Sequence, residues 1–171
     1  MDDTAKPLGT MIEIDPAHFR SVLGHYPTGV SVVTGWYDTD RAAGLAIGTF
    51  TSVSLDPPLV GFSPAKQSGS WPKMRRFGRF CVNVLGADQL DLCEKFAAPG
   101  ADKFEGVSHR LSEHGLPVLD GIIAAIECDI ADEHDAGDHH VVIGRVIALD
   151  ILRKAAPLLF FQGRYGTFQP I

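Results

Sequence analysis

Cysteine is scarce in this chain: Cys81, Cys93 and Cys128 are the only three in 171 residues, and none stands in a C-x-x-C spacing. An odd, scattered set flanked by apolar residues argues against a disulfide framework or a thiolate zinc site and for buried, reduced thiols. Long apolar runs are missing too. The first residues, MDDTAKPLGT, lack the basic start and apolar core of a secretion signal, and no uncharged stretch of membrane-spanning length follows. A cytoplasmic chain without membrane contact is expected. Positive charge is in deficit, with 15 Lys and Arg against 21 Asp and Glu, a net −6 at pH 7. That balance argues against nucleic acid or an anionic lipid surface as the main partner. Gly-x-Ser-x-Gly is absent and no Ser or Cys stands beside an evident base, so acyl transfer has no recognisable nucleophile. There is no internal repeat and no low-complexity segment.

What remains is an ordinary globular composition, 45% hydrophobic and 21% charged, with a mean hydropathy of +0.07. The length suits one domain over residues 15–171, burying roughly two thirds of its unfolded surface, after a loose arm over residues 1–14. Asp15-Pro16 has the chemistry of a helix start, and Phe19, Val22, Leu23 and Tyr26 recur at helical spacing, which predicts a short amphipathic helix ending before Pro27. From Val30 the period becomes that of strands. VSVVTGW, the turn DTDRAAG and LAIGTFTSVSL read as a hairpin whose second strand stops at Asp56-Pro57-Pro58. LVGFS and FCVNVL are further strands, KQSGSWPKMRRFG is a loop with a short helix, and DQLDLCEKFAA is a helix with Asp88 as its cap and Leu92 and Phe96 on one face. Residues 98–117 form a long connection, of a kind that is usually functional or a partner contact. IIAAIECDIA, the polar DEHDAGDH, HVVIGRVIALDIL, PLLFF and a Gly-Arg-Tyr-Gly turn complete the chain. Seven or so short strands and few helices predict a mainly β fold with helical decorations, a closed antiparallel barrel.

Three constellations bear on chemistry. In GTFTSVSLDPPLVGF, four of the six residues from Thr49 to Ser54 carry hydroxyls, which alternation spreads over both strand faces. They read either as donors to a polar heteroaromatic ligand or as ordinary strand and edge residues. In KQSGSWPK, the small residues and lysines around Gly69 suit a phosphate at a short helix start, or are a solvated loop. In HDAGDHH, His134, Asp135, Asp138, His139 and His140 suggest a metal, but adjacent His139 and His140 point opposite ways on a strand. A turn at Gly137 that presents His139 at a strand start is the preferred reading, with no metal.

Taken in order, FRSVLGHYPTGVSVVT, the G-x-x-x-G-T-F-T-S-V-S-L-D-P-P-L-V segment, FCVNVL with DQ and KFA, DKFEGV, GLPVLDG, IECDI, AGDH with IGRV, and PLLFFQGRYG resemble the short-chain flavin reductases of two-component flavin-dependent monooxygenases. The likeness runs from about Phe19 to Phe168 and rests on the joint spacing of many weak motifs. It implies an antiparallel split β-barrel of the FMN-binding type, a homodimer, FMN or FAD as the flavin, NADH or NADPH as co-substrate, and a monooxygenase that receives reduced flavin. Ala46, Ile47, Gly48, Thr49, Ser52, Val53 and Ser54 match the segment along the flavin, Gln67, Ser68, Ser70 and Lys73 the phosphate segment, and Phe96 and Ala97 a border of the cofactor. His139, Arg164 and Tyr165 match positions associated with the nicotinamide nucleotide, His139 as its positioner. Many members read G-M-T-x-N-S-F where this chain has Gly44-Leu45-Ala46-Ile47-Gly48-Thr49-Phe50, so a Thr and an Asn side chain are replaced by Ala46 and Gly48. A non-catalytic flavin-binding or sensor protein is the alternative on the same barrel, and a metal-dependent hydrolase using His134–His140 is a third.

Overall fold

A computed structural model of the protein describes residues 14–100 and 102–171. The arm expected over residues 1–14 lies, but for Ile14, outside the described residues. Helix α1, Pro16–Leu23, starts as Asp15 predicts, its carboxylate accepting from the His18 amide at 2.9 Å. It ends at Gly24, short of Tyr26, and buries none of its residues. Strand β1 is Thr28–Gly29, and β2, Ser31–Trp36, pairs with β3, Ala42–Ile47, in the expected hairpin. The single strand expected through Leu55 is broken. Gly48, Thr49 and Phe50 leave the sheet, and β4, Thr51–Leu55, pairs instead with β5, Pro58–Phe62, across a reversal at the cis Asp56–Pro57 bond.

After the short helix α2, Trp71–Met74, comes β6, Arg79–Val84, and then α3, Leu90–Ala97. Asp88 does not cap α3; Gln89 holds that position without a side-chain bond. The Asp88 carboxylate instead accepts two 2.7 Å bonds from the Arg153 guanidinium, which holds its carboxyl below the usual range. The long connection contains a small hairpin, β7, His109–Leu111, and β8, Pro117–Leu119. The turn expected at Gly137 is there, φ +62°, but the polar residues before it are strand: β9, Ala124–Ala136, and β10, His139–Ile151, form one long hairpin. β11, Leu158–Phe161, and β12, Arg164–Thr167, follow, with the turn at Gln162-Gly163 rather than across Arg164 and Tyr165.

Seven strands form one antiparallel sheet in the order β3-β2-β6-β9-β10-β5-β4, and β1-β11-β12 form a small second sheet. The closed barrel is not formed, because the edge strands β3 and β4 do not pair. Yet only residues 48–50 separate them in sequence, a link reaching at most about 14 Å. The sheet therefore curls until its two edges almost meet. Alternate residues of its central strands supply two cores. Val33, Phe62, Trp71, Phe80, Val82 and Val142 pack on one face, with Phe62 5.1 Å from both Trp71 and Phe80. Val32, Cys81, Leu85, Cys93, Phe96 and Leu119 pack on the other, beneath α3 and β8. All three cysteines are free and buried, and burial pushes the Cys81 and Cys128 thiols up to about 12. Among the described residues no helix is long and apolar enough to cross a membrane.

Asn83 ties this second core together. Its amide donates to the Val32 carbonyl at 3.0 Å and to Thr34 Oγ1 at 2.9 Å, and its Oδ1 accepts from the Leu119 amide at 2.8 Å. Thr34 Oγ1 in turn donates to the Pro117 carbonyl at 2.5 Å. Both side chains are fully buried, so loss of one member strands several polar groups without water. Asn83→Leu should lower unfolding stability by about 3 kcal/mol, read as a shifted denaturant midpoint at unchanged slope.

Candidate functional site

The near-meeting of the sheet edges leaves a cleft of about 470 Å³. The end of β3 and the link after it contribute Leu45, Ala46, Ile47, Gly48 and Thr49; the loop after β5 contributes Ser63, Ala65, Gln67, Ser68 and Gly69. The end of α3 and the following segment add Phe96, Ala97, Ala98, Pro99 and Lys103, and His139 comes from the start of β10.

Backbone pairing holds this lining in place. Thr49 Oγ1 accepts from the Ser63 amide at 2.9 Å, fastening the link to the end of β5. The loop is zipped to β10 by a bridge between Ala65 and His139, by the Lys66 amide donating to the Asp138 carbonyl at 2.9 Å, and by the His140 amide donating to the Pro64 carbonyl at 3.0 Å. Ser68 Oγ accepts from the Ser70 and Trp71 amides, both at 3.3 Å, capping α2 from two residues further back than usual. Phe96 reaches the cleft because Gly44 lies beneath its ring, where an added Cβ would stand 2.5 Å from Phe96 Cε1.

The charge of the lining is one-sided. Among the described residues, Lys103 and His139 are its ionisable ones, and no carboxylate lines it. Lys103 Nζ donates to the Phe96 carbonyl at 2.7 Å, and burial draws the Lys103 pKa below its usual value. His139 Nδ1 lies 2.8 Å from Asp138 Oδ1, a contact that holds the Asp138 carboxyl below the usual range. With Nδ1 so occupied, Nε2 is the nitrogen left for a ligand. His140 turns away, 3.2 Å from both Glu133 and Asp135, and among the described residues no three His, Cys, Asp or Glu gather as metal ligands.

Of the residues singled out in the sequence, Ala46, Ile47, Gly48, Thr49, Gln67, Ser68, Phe96, Ala97 and His139 meet in this cleft. The others do not. Ser52, Val53 and Ser54 lie on the edge strand β4, past the point where the chain leaves the cleft, and Leu55 at its end is 94% exposed. The prolines that follow make the far turn of the β4–β5 hairpin and no part of the cleft rim. Ser70 is buried ahead of α2, and the Lys73 ammonium sits 4.1 Å from the centre of the Tyr37 ring. Tyr165 borders a second cavity, of about 190 Å³, that shares Ala46, Ile47, Gly48 and Ala97 with the cleft. There its hydroxyl accepts from Cys93 Sγ at 3.4 Å, and that bond and burial push it up to about 12. Arg164 lies on a wider depression with Pro27 and Phe161. Sequence reasoning missed Leu45, Ser63, Ala65, Ala98, Pro99 and Lys103. Only Lys103 carried a signal, as the lysine of DKFEGV.

Residues 23–169 match the family model described as flavin reductase like domain. The chain is 50% identical over 158 residues to a flavin reductase of Pseudomonas putida, covering 92% of this chain and 93% of that one. It is 46% identical over 160 residues to the reductase subunit HsaB of a flavin-dependent monooxygenase from Mycobacterium tuberculosis, covering 92% and 85%. The solved structure of the Streptomyces globisporus NADH:FAD oxidoreductase SgcE6 superposes with a TM-score of 0.86 at 34% identity, covering 96% of this chain and all of that one.

The Thr49 bond generates a direct test. Thr49→Val removes the acceptor of the Ser63 amide and should speed hydrogen exchange at that amide roughly fivefold, the equivalent of about 1 kcal/mol. Thr49→Ser should leave it near the native rate.

Proposed function

The chain belongs to the flavin reductase like domain family, and from that premise we propose that it is an NAD(P)H:flavin oxidoreductase that supplies reduced flavin to a flavin-dependent monooxygenase. One observation carries the assignment to this cleft: an apolar wall and a polar, positively charged remainder line the same space. Leu45, Ile47 and Phe96 offer a flat ring its apolar contacts, Gln67 and Ser68 offer an amide and a hydroxyl, and Lys103 offers a charge. The volume lies within the roughly 300–1,000 Å³ of cofactor sites. That donor set fits a heteroaromatic ring bearing a phosphate chain. We propose Ala46–Thr49 and Phe96–Ala97 for the ring and Gln67–Ser68 for the phosphate, with FMN and FAD both admitted and NADH as donor. Ser52–Ser54, Ser70 and Lys73 are left without direct contact in this reading.

A flavin held by Ala46–Thr49, Phe96, Ala97, Gln67 and Ser68 would supply the hydride-accepting chemistry, and a dihydronicotinamide the hydride. The chain's own work is to hold two flat rings in register and to keep competing groups out. This accounts for a site without an acid–base dyad. His139, held from behind by Asp138, stands at the mouth with Nε2 free to meet the nicotinamide amide or its pyrophosphate.

We also propose a split β-barrel in which the open β3–β4 edge is the split, one domain over residues 15–171, and a cytoplasmic homodimer. Helix α1 supports the dimer, since Phe19, Val22 and Leu23 are each about half exposed and Tyr26 more so. Phe161 and Tyr165 of the small sheet, and Phe168 just after it, are also exposed. Such an apolar face on a soluble protein marks a contact surface.

Mixing the protein with NADH and free FMN or FAD should give continuous loss of NADH absorbance, and its failure with every flavin would overturn the assignment. His139→Ala should raise KM for NADH roughly tenfold, the loss of one charge-assisted hydrogen bond, while changing flavin affinity less than about twofold. An unchanged KM for NADH removes His139 from this role.

A further inference from the structure

The two basic side chains of the cleft differ in their partners. His139 has a carboxylate at 2.8 Å in Asp138. Lys103 has none: among the described residues its ammonium makes no ion pair, and its bond is to the Phe96 carbonyl at the last turn of α3. The side chain is half-buried, and burial depresses its pKa. An ammonium drawn out of water beside only a carbonyl is incompletely compensated. The negative end of the helix dipole offsets part of that, and a ligand carrying negative charge would offset the rest. Phe96, whose carbonyl holds Lys103, belongs with Ala97 to the wall proposed above for the ring; the amide and hydroxyl proposed for the phosphate, on Gln67 and Ser68, come from a separate segment.

We propose that Lys103 is a charge-compensating residue for the flavin ring itself, favouring the reduced ring over the oxidised one. The inference rests on the flavin reading of the cleft. Hydride transfer moves two electrons and one proton onto the ring, which gains one negative charge shared by N1 and the C2 carbonyl oxygen, while the nicotinamide becomes a cation. No further oxidant or reductant enters. A fixed ammonium in a partly water-excluded cleft lowers the free energy of that anion and has little to attract in the neutral oxidised ring.

Two variants of the full chain test this. Lys103→Gln keeps a donor for the Phe96 carbonyl and removes the charge; Lys103→Arg keeps both. Dissociation constants are measured for oxidised and for anaerobically reduced riboflavin, which has no phosphate, and for FMN in both states. Lys103→Gln should weaken reduced riboflavin by about tenfold or more while moving oxidised riboflavin less than about twofold, and Lys103→Arg should restore most of the loss. Equal weakening of both redox states, or weakening confined to FMN with riboflavin untouched, overturns the proposal and leaves the flavin assignment standing. Native protein that takes up no flavin in either state overturns both.

Discussion

Gly48, Thr49 and Phe50 carry the chain from one edge of a seven-stranded antiparallel sheet to the other, with no strand lying between those edges. So short a link forces the sheet to curl, and the edges then come near one another without pairing. The space between them is the cleft. Its second wall depends on the same link, since the Thr49 hydroxyl holds the Ser63 amide at the start of the loop that bears Gln67 and Ser68. That loop is in turn bridged to His139. One local departure from regular strand thus places residues from four separate parts of the chain around one volume.

Much of this was legible in the sequence, and the exceptions have physical causes. Asp15-Pro16, the VSVVT and FCVNV runs and the Gly137 reversal carried local signals strong enough to place α1, the central strands and the long hairpin. The break at Gly48 was not legible from pattern, because LAIGTFTSVSL alternates well enough to pass for one strand, and only the pairing of β4 with β5 ends it. Ser52–Ser54, named for the flavin from the resemblance, lie beyond that break on β4. Closure was expected from strand count, which says nothing about whether the last pair of edges bonds. Asp88 has the chemistry of a cap, but Arg153, 65 residues away, holds it with two hydrogen bonds. Lys103 was passed over because its meaning lies in a tertiary contact with the carbonyl of Phe96.

The cleft suits the division of labour proposed for it. A protein that performs acid–base catalysis positions groups with matched pKa values; here the Cys81 and Cys128 thiols and Tyr165 are pushed toward their neutral forms. What the chain provides is shape, a few polar contacts and one-sided charge. The cleft and the smaller cavity beside Tyr165 share a wall made by Ala46, Ile47, Gly48 and Ala97.

A crystal structure of the protein grown with oxidised FMN tests the central claim most directly. The account predicts the isoalloxazine in van der Waals contact with Ala46–Thr49 and Phe96–Ala97, its phosphate beside Gln67 and Ser68. A ring seated elsewhere, in the depression by Arg164 or against β4, would contradict it.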